Sequence, residues 1–130
     1  MSKPFVYVGT WTVKEGQEEA ARKWLTEHTD FVETNEPRLI SFQVFFDVDY
    51  HTCTVVQVHP DSTSMEFHMQ LISDHVSNAF AEFIDRILTE QYYGPMSDAL
   101  AETLAKWEDP GVTVIKRPVH ETGFTRSNVR

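Results

Sequence analysis

The sequence holds one cysteine in 130 residues, no long apolar run, and 11 basic side chains against 20 acidic ones. A lone Cys53 excludes an intrachain disulfide, so packing must hold the fold, and a reducing compartment is expected. No segment approaches the ~20 consecutive apolar residues of a membrane-spanning helix. The N-terminal MSKPFVYVGTWTV also lacks the apolar run and cleavage site of a leader, so a cytoplasmic location with no membrane partner is expected. A net charge of −9 disfavours a nucleic-acid partner, which needs Lys and Arg in surplus on one face. There is no Gly-rich phosphate loop, no GxSxG, no HExxH and no CxxC, and Arg38, Arg86, Lys116 and Arg117 are scattered. The sequence therefore indicates no phosphate clamp, no flavin or nicotinamide cofactor and no metal.

What is present is apolar periodicity. With 41% hydrophobic and 12% aromatic residues, the chain reads as one folded domain over residues 1–130. Its centre is Ser62 to Ile87, free of Gly and Pro. At about 100° per residue, Met65, Met69, Ile72, Val76, Ala79, Phe80, Phe83 and Ile87 fall on one stripe of a helix. Asp61, Ser62 or Thr63 is placed to cap it. His68 and His75 lie seven residues apart on one flank, at the edge of what the helix covers.

The flanking segments alternate in kind. Phe5 to Val13 reads as a strand with Phe5, Tyr7, Gly9, Trp11 and Val13 on one face. KEGQEEAARKWLTEHTDFVETNEP reads as a helix with Ala20, Ala21, Trp24, His28, Phe31 and Val32 inward, ended by Pro37. Arg38 to Val48 and Thr52 to His59 read as an antiparallel hairpin. After the long helix, a Gly94-Pro95 break leads to a short helical pattern through Leu100, Leu104 and Trp107, then a last strand, Val112 to Arg117. The polar tail VHETGFTRSNVR is expected to be anchored by Phe124.

This order is the split βαβ, or ferredoxin-like, α+β arrangement: a four-stranded antiparallel sheet with helices on one face. The strands carry apolar groups on both faces, Val6 and Val8 opposite Phe5 and Tyr7, and Leu39 and Phe45 opposite Phe42 and Phe46. Such a second face needs cover. Two covers are available: a second copy of the chain packed sheet to sheet, or the short helix Ser97 to Trp107.

The segments KEGQEEAARKWL, NEPRLISFQVFFD and TVVQVHPDSTSMEFHMQLISDHVSNAF resemble the antibiotic biosynthesis monooxygenase family. The resemblance spans Phe5 to Ile84 and the final strand, and is most specific in the long helix with its two histidines. It implies a dimeric α/β barrel, a homodimer through sheet faces, and a cavity between sheet and helices. It also implies oxidation of a quinol or another small aromatic or hydrophobic ligand by O₂ without a cofactor. A segment at about residues 86–111 departs from the family pattern and is expected to be an inserted helical segment forming either a lid over the cavity or an extra interface. The family's haem-degrading branch is not matched. His75 aligns with its helix His, but Met65 stands where that branch has Trp, and the first strand has no Asn.

The candidate catalytic residues are His68 and His75, because imidazole is a base near neutrality and such oxidations begin with loss of a proton. They are not expected to share a metal. Seven residues along a helix span roughly 10 Å, whereas zinc ligands sit about 2 Å from the ion. Candidate ligand-binding residues are Tyr7, Trp11, Gln43, His59 and Tyr92. His28, on an inward helix stripe, is expected to be buried with its nitrogens hydrogen-bonded. The competing reading is a non-catalytic ligand-binding or structural dimer on the same scaffold, in which the histidines are packed and bonded.

Overall fold

The computed structural model describes residues 3–126. Its elements run β1 (Phe5–Val13), α1 (Glu18–Asn35), β2 (Ser41–Phe46), β3 (Thr52–His59), α2 (Ser62–Glu82), β4 (Ile84–Tyr93), α3 (Asp98–Ala105) and β5 (Thr113–Arg117). The strands form one sheet in the order β2-β3-β1-β4-β5. Its first four strands pair antiparallel, with Tyr7 opposite Gln57 on β3 and opposite Tyr92 on β4. This is the expected ferredoxin-like core. No helix among the described residues is long and apolar enough to cross a membrane.

The strand that completes the core is not the expected one. The long helix stops at Glu82, and Ile84–Tyr93, read from the sequence as its last turn and the start of an insertion, is β4. Ile87 continues the apolar stripe of α2 by spacing alone. The free edge of β1 decides the matter, because its backbone donors and acceptors need a second partner strand. The expected last strand, β5, is a fifth one, parallel to β4 at the sheet edge. A parallel neighbour needs a crossover, and α3 supplies it. Residues 86–111 are therefore strand, helix and turn, and the sheet is five-stranded and mixed.

α3 packs on the same face as α1 and α2. Leu100 and Leu104 join Phe5, Tyr7, Met65, Met69 and Tyr92 in one buried cluster. It does not cover the opposite face, which the described residues leave without an intrachain partner. Asp61 caps α2, its carboxylate accepting from the Ser64 N–H at 3.0 Å. The buried face of α2 carries Met65, Met69, Ile72, Val76 and Ala79 as expected, but is wide enough to take in Ser64 and His68 as well. At its far end the chain departs from expectation again. Phe124 is 82% exposed and anchors nothing, and residues 127–130 of the tail lie outside the described residues.

Leu100 is fully buried against the inner face of β1 and β4. Leu100→Ala is expected to cost about 2–5 kcal/mol of unfolding free energy through the cavity it leaves, measured by urea denaturation. A change under about 0.5 kcal/mol, the range of ordinary surface substitutions, would show that α3 is not part of the cooperative core.

Candidate functional site

Between the inner sheet face and the three helices lies a cavity lined mainly by apolar and aromatic side chains. Its volume, mouth included, is about 690 Å³. Strand alternation aims Tyr7, Trp11, Gln57, Glu90 and Tyr92 into it from below. Above, α1 contributes His28, α2 contributes His68, and Leu104 and Trp107 come from the α3 region.

His68 is 1% exposed rather than at an edge. Its Nδ1 lies 2.6 Å from Oε2 of Glu36, which is itself buried. Glu36 sits one residue past the end of α1, its backbone N–H donating to Val32 O, and Pro37 turns the chain away. A carboxylate can only accept, so the neutral ring carries its proton on Nδ1 and presents the Nε2 lone pair. That Nε2 is buried and has no hydrogen-bond partner among the described residues. A carboxylate-oriented imidazole with a free nitrogen beside an apolar cavity is chemically able to accept a proton.

His59 lies behind this imidazole, edge-on to His68 with ring centroids 5.9 Å apart. Both its nitrogens are engaged, Nδ1 with Ser64 Oγ at 2.7 Å and Nε2 with Gln57 Oε1 at 2.9 Å. Because an amide oxygen only accepts, Nε2 carries the proton and Nδ1 accepts from the serine. Burial pushes the His59 pKa down to about 3, with the Arg38 charge adding to the fall and Asp61 opposing it. His28 stacks on Trp24 at 4.6 Å, and burial lowers its pKa to about 4. Contrary to expectation, its Nδ1 has no hydrogen-bond partner among the described residues.

The cavity floor holds a second polar group that the sequence reading passed over. Gly9 and Glu90 face each other across β1 and β4, and the next inward pair is Tyr7 and Tyr92. A Cβ on residue 9 would stand 2.0 Å from the Tyr7 hydroxyl, so the tyrosine ring lies over the glycine and brings its hydroxyl to the carboxyl side. The Tyr92 hydroxyl donates to Glu90 Oε2 at 3.4 Å. Burial raises the Glu90 pKa to about 7, against opposing hydrogen bonding from Tyr7, Trp11 and Tyr92. Burial, then the Glu90 charge, raises both tyrosines.

Of the residues named from the sequence, His68, Tyr7, Trp11 and Tyr92 meet at the cavity, and His59 lies directly behind it. His75 is not among the lining residues; it packs against Phe31 at 4.5 Å and His28 at 5.9 Å. Gln43 is exposed on the opposite sheet face, bonded to Ser41 Oγ at 3.3 Å. Glu36 and Glu90 were missed. Glu36 hides in a polar NEP turn signal, and only its neighbourhood in three dimensions distinguishes it. Glu90 was misplaced with its segment, since a carboxylate two residues before Tyr92 stands out only once β4 is known to be a strand.

The sequence matches no protein-family profile and no curated protein. Among solved structures, MupZ from Pseudomonas fluorescens matches with a TM-score of 0.76 at 18% identity, covering 98% of each chain. That match therefore takes in the α3–β5 extension. A protein from Caulobacter crescentus, provisionally named an antibiotic biosynthesis monooxygenase, matches with a TM-score of 0.62 at 13% identity. The match covers 70% of this chain and 88% of the other. One of the same provisional name from Chloroflexus aurantiacus matches with a TM-score of 0.55 at 19% identity, covering 69% and 90%. The chain thus has the fold of the proteins that carry this name, and at such identities the likeness speaks for the fold alone.

His28 and His59 stay neutral in the folded chain well below the usual 6.5. The unfolded chain takes up their protons first, so stability falls as pH drops from about 6.5 toward 4. Glu90, raised to about 7, contributes the opposite slope between its usual value and neutrality. His28→Phe is expected to reduce the fall by up to about 1.4 kcal/mol per pH unit, measured by urea denaturation between pH 6.5 and 4.5. An unchanged slope would mean that His28 is not held neutral.

Proposed function

We propose that the protein is a cofactor-independent monooxygenase that binds a small aromatic or quinol substrate in this cavity and oxidises it with O₂. The observation that carries the proposal is the free Nε2 of His68, held by Glu36 at an apolar cavity. His68 takes a phenolic or activated C–H proton, and the anion that results is electron-rich enough to reduce O₂. Tyr7, Trp11 and Tyr92 form the aromatic contacts that hold the ring system. The kinship of fold with proteins named for such an activity supports the reading.

Oxygen uptake with a panel of quinols and anthrones tests it. The wild type is expected to exceed the uncatalysed rate, and His68→Gln to lose about 10²–10⁴-fold, the usual contribution of a general base. Glutamine keeps a donor for Glu36, so this variant separates lost chemistry from lost folding better than His68→Ala. No uptake across the panel, with binding of the same compounds seen by thermal shift, would favour the non-catalytic binding protein.

The assembly proposed with this function is a homodimer through the uncovered sheet face. That face carries Val6, Val8, Val56 and Val58, all partly buried, and Phe45 at 57% exposure. With α3 on the other side, a second sheet is the cover that remains. Light scattering is expected to give twice the 15.0 kDa chain mass, and Val56→Glu to give the single-chain mass. A monomeric wild type would reject the dimer.

A further inference from the structure

The Glu90 corner has a use that a base alone does not explain. Its carboxyl lies within the cavity lining, beneath the hydroxyls of Tyr7 and Tyr92, which converge on it because Gly9 leaves room for the Tyr7 ring. Beside it, the buried Trp11 indole N–H is turned toward the same carboxyl. A carboxyl group, two hydroxyls and an indole N–H together form one polar spot in an apolar wall, and the ligand atom it suits is an uncharged oxygen.

We propose that Glu90 is a catalytic proton donor, delivering a proton to a carbonyl oxygen of the ligand while His68 removes one from a carbon conjugated with that carbonyl. The substrate class is then an aromatic ketone with an acidic C–H, and the step is enolisation, preceding any reaction with O₂. With anthrone, Nε2 of His68 takes a methylene proton, and the C–H pair forms a C=C bond to the adjoining ring carbon. The aromatic π pair of that carbon shifts to make a C=C bond to the carbonyl carbon, and the carbonyl π pair moves onto oxygen, which takes the Glu90 proton. The products are the enol, an imidazolium and a carboxylate. No electrons are gained or lost, and solvent restores both groups. The burial that raises the Glu90 pKa to about 7 leaves about half of the acid protonated at neutral pH, where an ordinary glutamate is almost fully ionised.

This rests on His68 acting as base, so the test separates the two groups. Anthrone is incubated with the protein in D₂O under argon, and loss of the methylene proton signal is followed by NMR. The wild type is expected to speed exchange over buffer, with a rate that declines above about pH 7. Glu90→Gln is expected to slow it about 10²-fold and to remove that decline. His68→Gln is expected to abolish it. Wild-type exchange left unchanged by Glu90→Gln would overturn the donor and leave the base standing. Wild-type exchange no faster than buffer would sink the base. Infrared titration of the protein alone then decides on Glu90. A protonated-carboxyl band that vanishes across neutral pH, and is absent from Glu90→Gln, supports the donor; a spectrum without it overturns the donor.

Discussion

The contact between Glu36 and His68 is the constraint around which the site is arranged. It ties the end of α1 to the first third of α2, 32 residues along the chain, with both partners buried. Such a pair contributes little net stability against an apolar replacement, yet breaking it by removing one partner leaves a buried polar group stranded, at about 3–5 kcal/mol. Both residues are therefore held, and with them the crossing of the two helices above the sheet. The geometry that fixes the imidazole also fixes the roof of the cavity.

Below that roof, the floor follows from strand register. Tyr7, Gly9 and Trp11 alternate inward on β1, and antiparallel pairing sets Tyr92 and Glu90 opposite the first two. A slip of one residue would turn all of them to the other face, so the cavity's polar groups depend on the same hydrogen-bond ladder that makes the sheet. His59 and Gln57 extend the arrangement on β3, where they buttress the imidazole rather than compete with it.

Much of this was legible from the sequence. The alternation in Phe5–Val13 and Thr52–His59 and the stripe of α2 identified the ferredoxin-like core, because period-two and 3.6-residue patterns record which face is buried. Ile84–Tyr93 was not legible as a strand, since Phe83 and Ile87 prolong the helical stripe and only the vacant edge of β1 tells against it. His68, Tyr7, Trp11 and Tyr92 could be picked as chemically able residues on inward faces. That Glu36 would reach His68, or Glu90 would lie beside Tyr7, depends on helix ends and cross-strand partners far apart in sequence, which no local pattern records.

The extension after β4 is fastened at both ends. β4 leads into α3 through Gly94, whose N–H donates to Arg117 O at 2.9 Å, and β5 returns to lie along β4. A wall stitched to the sheet on both sides cannot swing aside as a flap without unzipping a ladder of backbone bonds. On the side where Leu104 and Trp107 line it, the cavity can therefore widen by side-chain rotation but not by a swing of the helix.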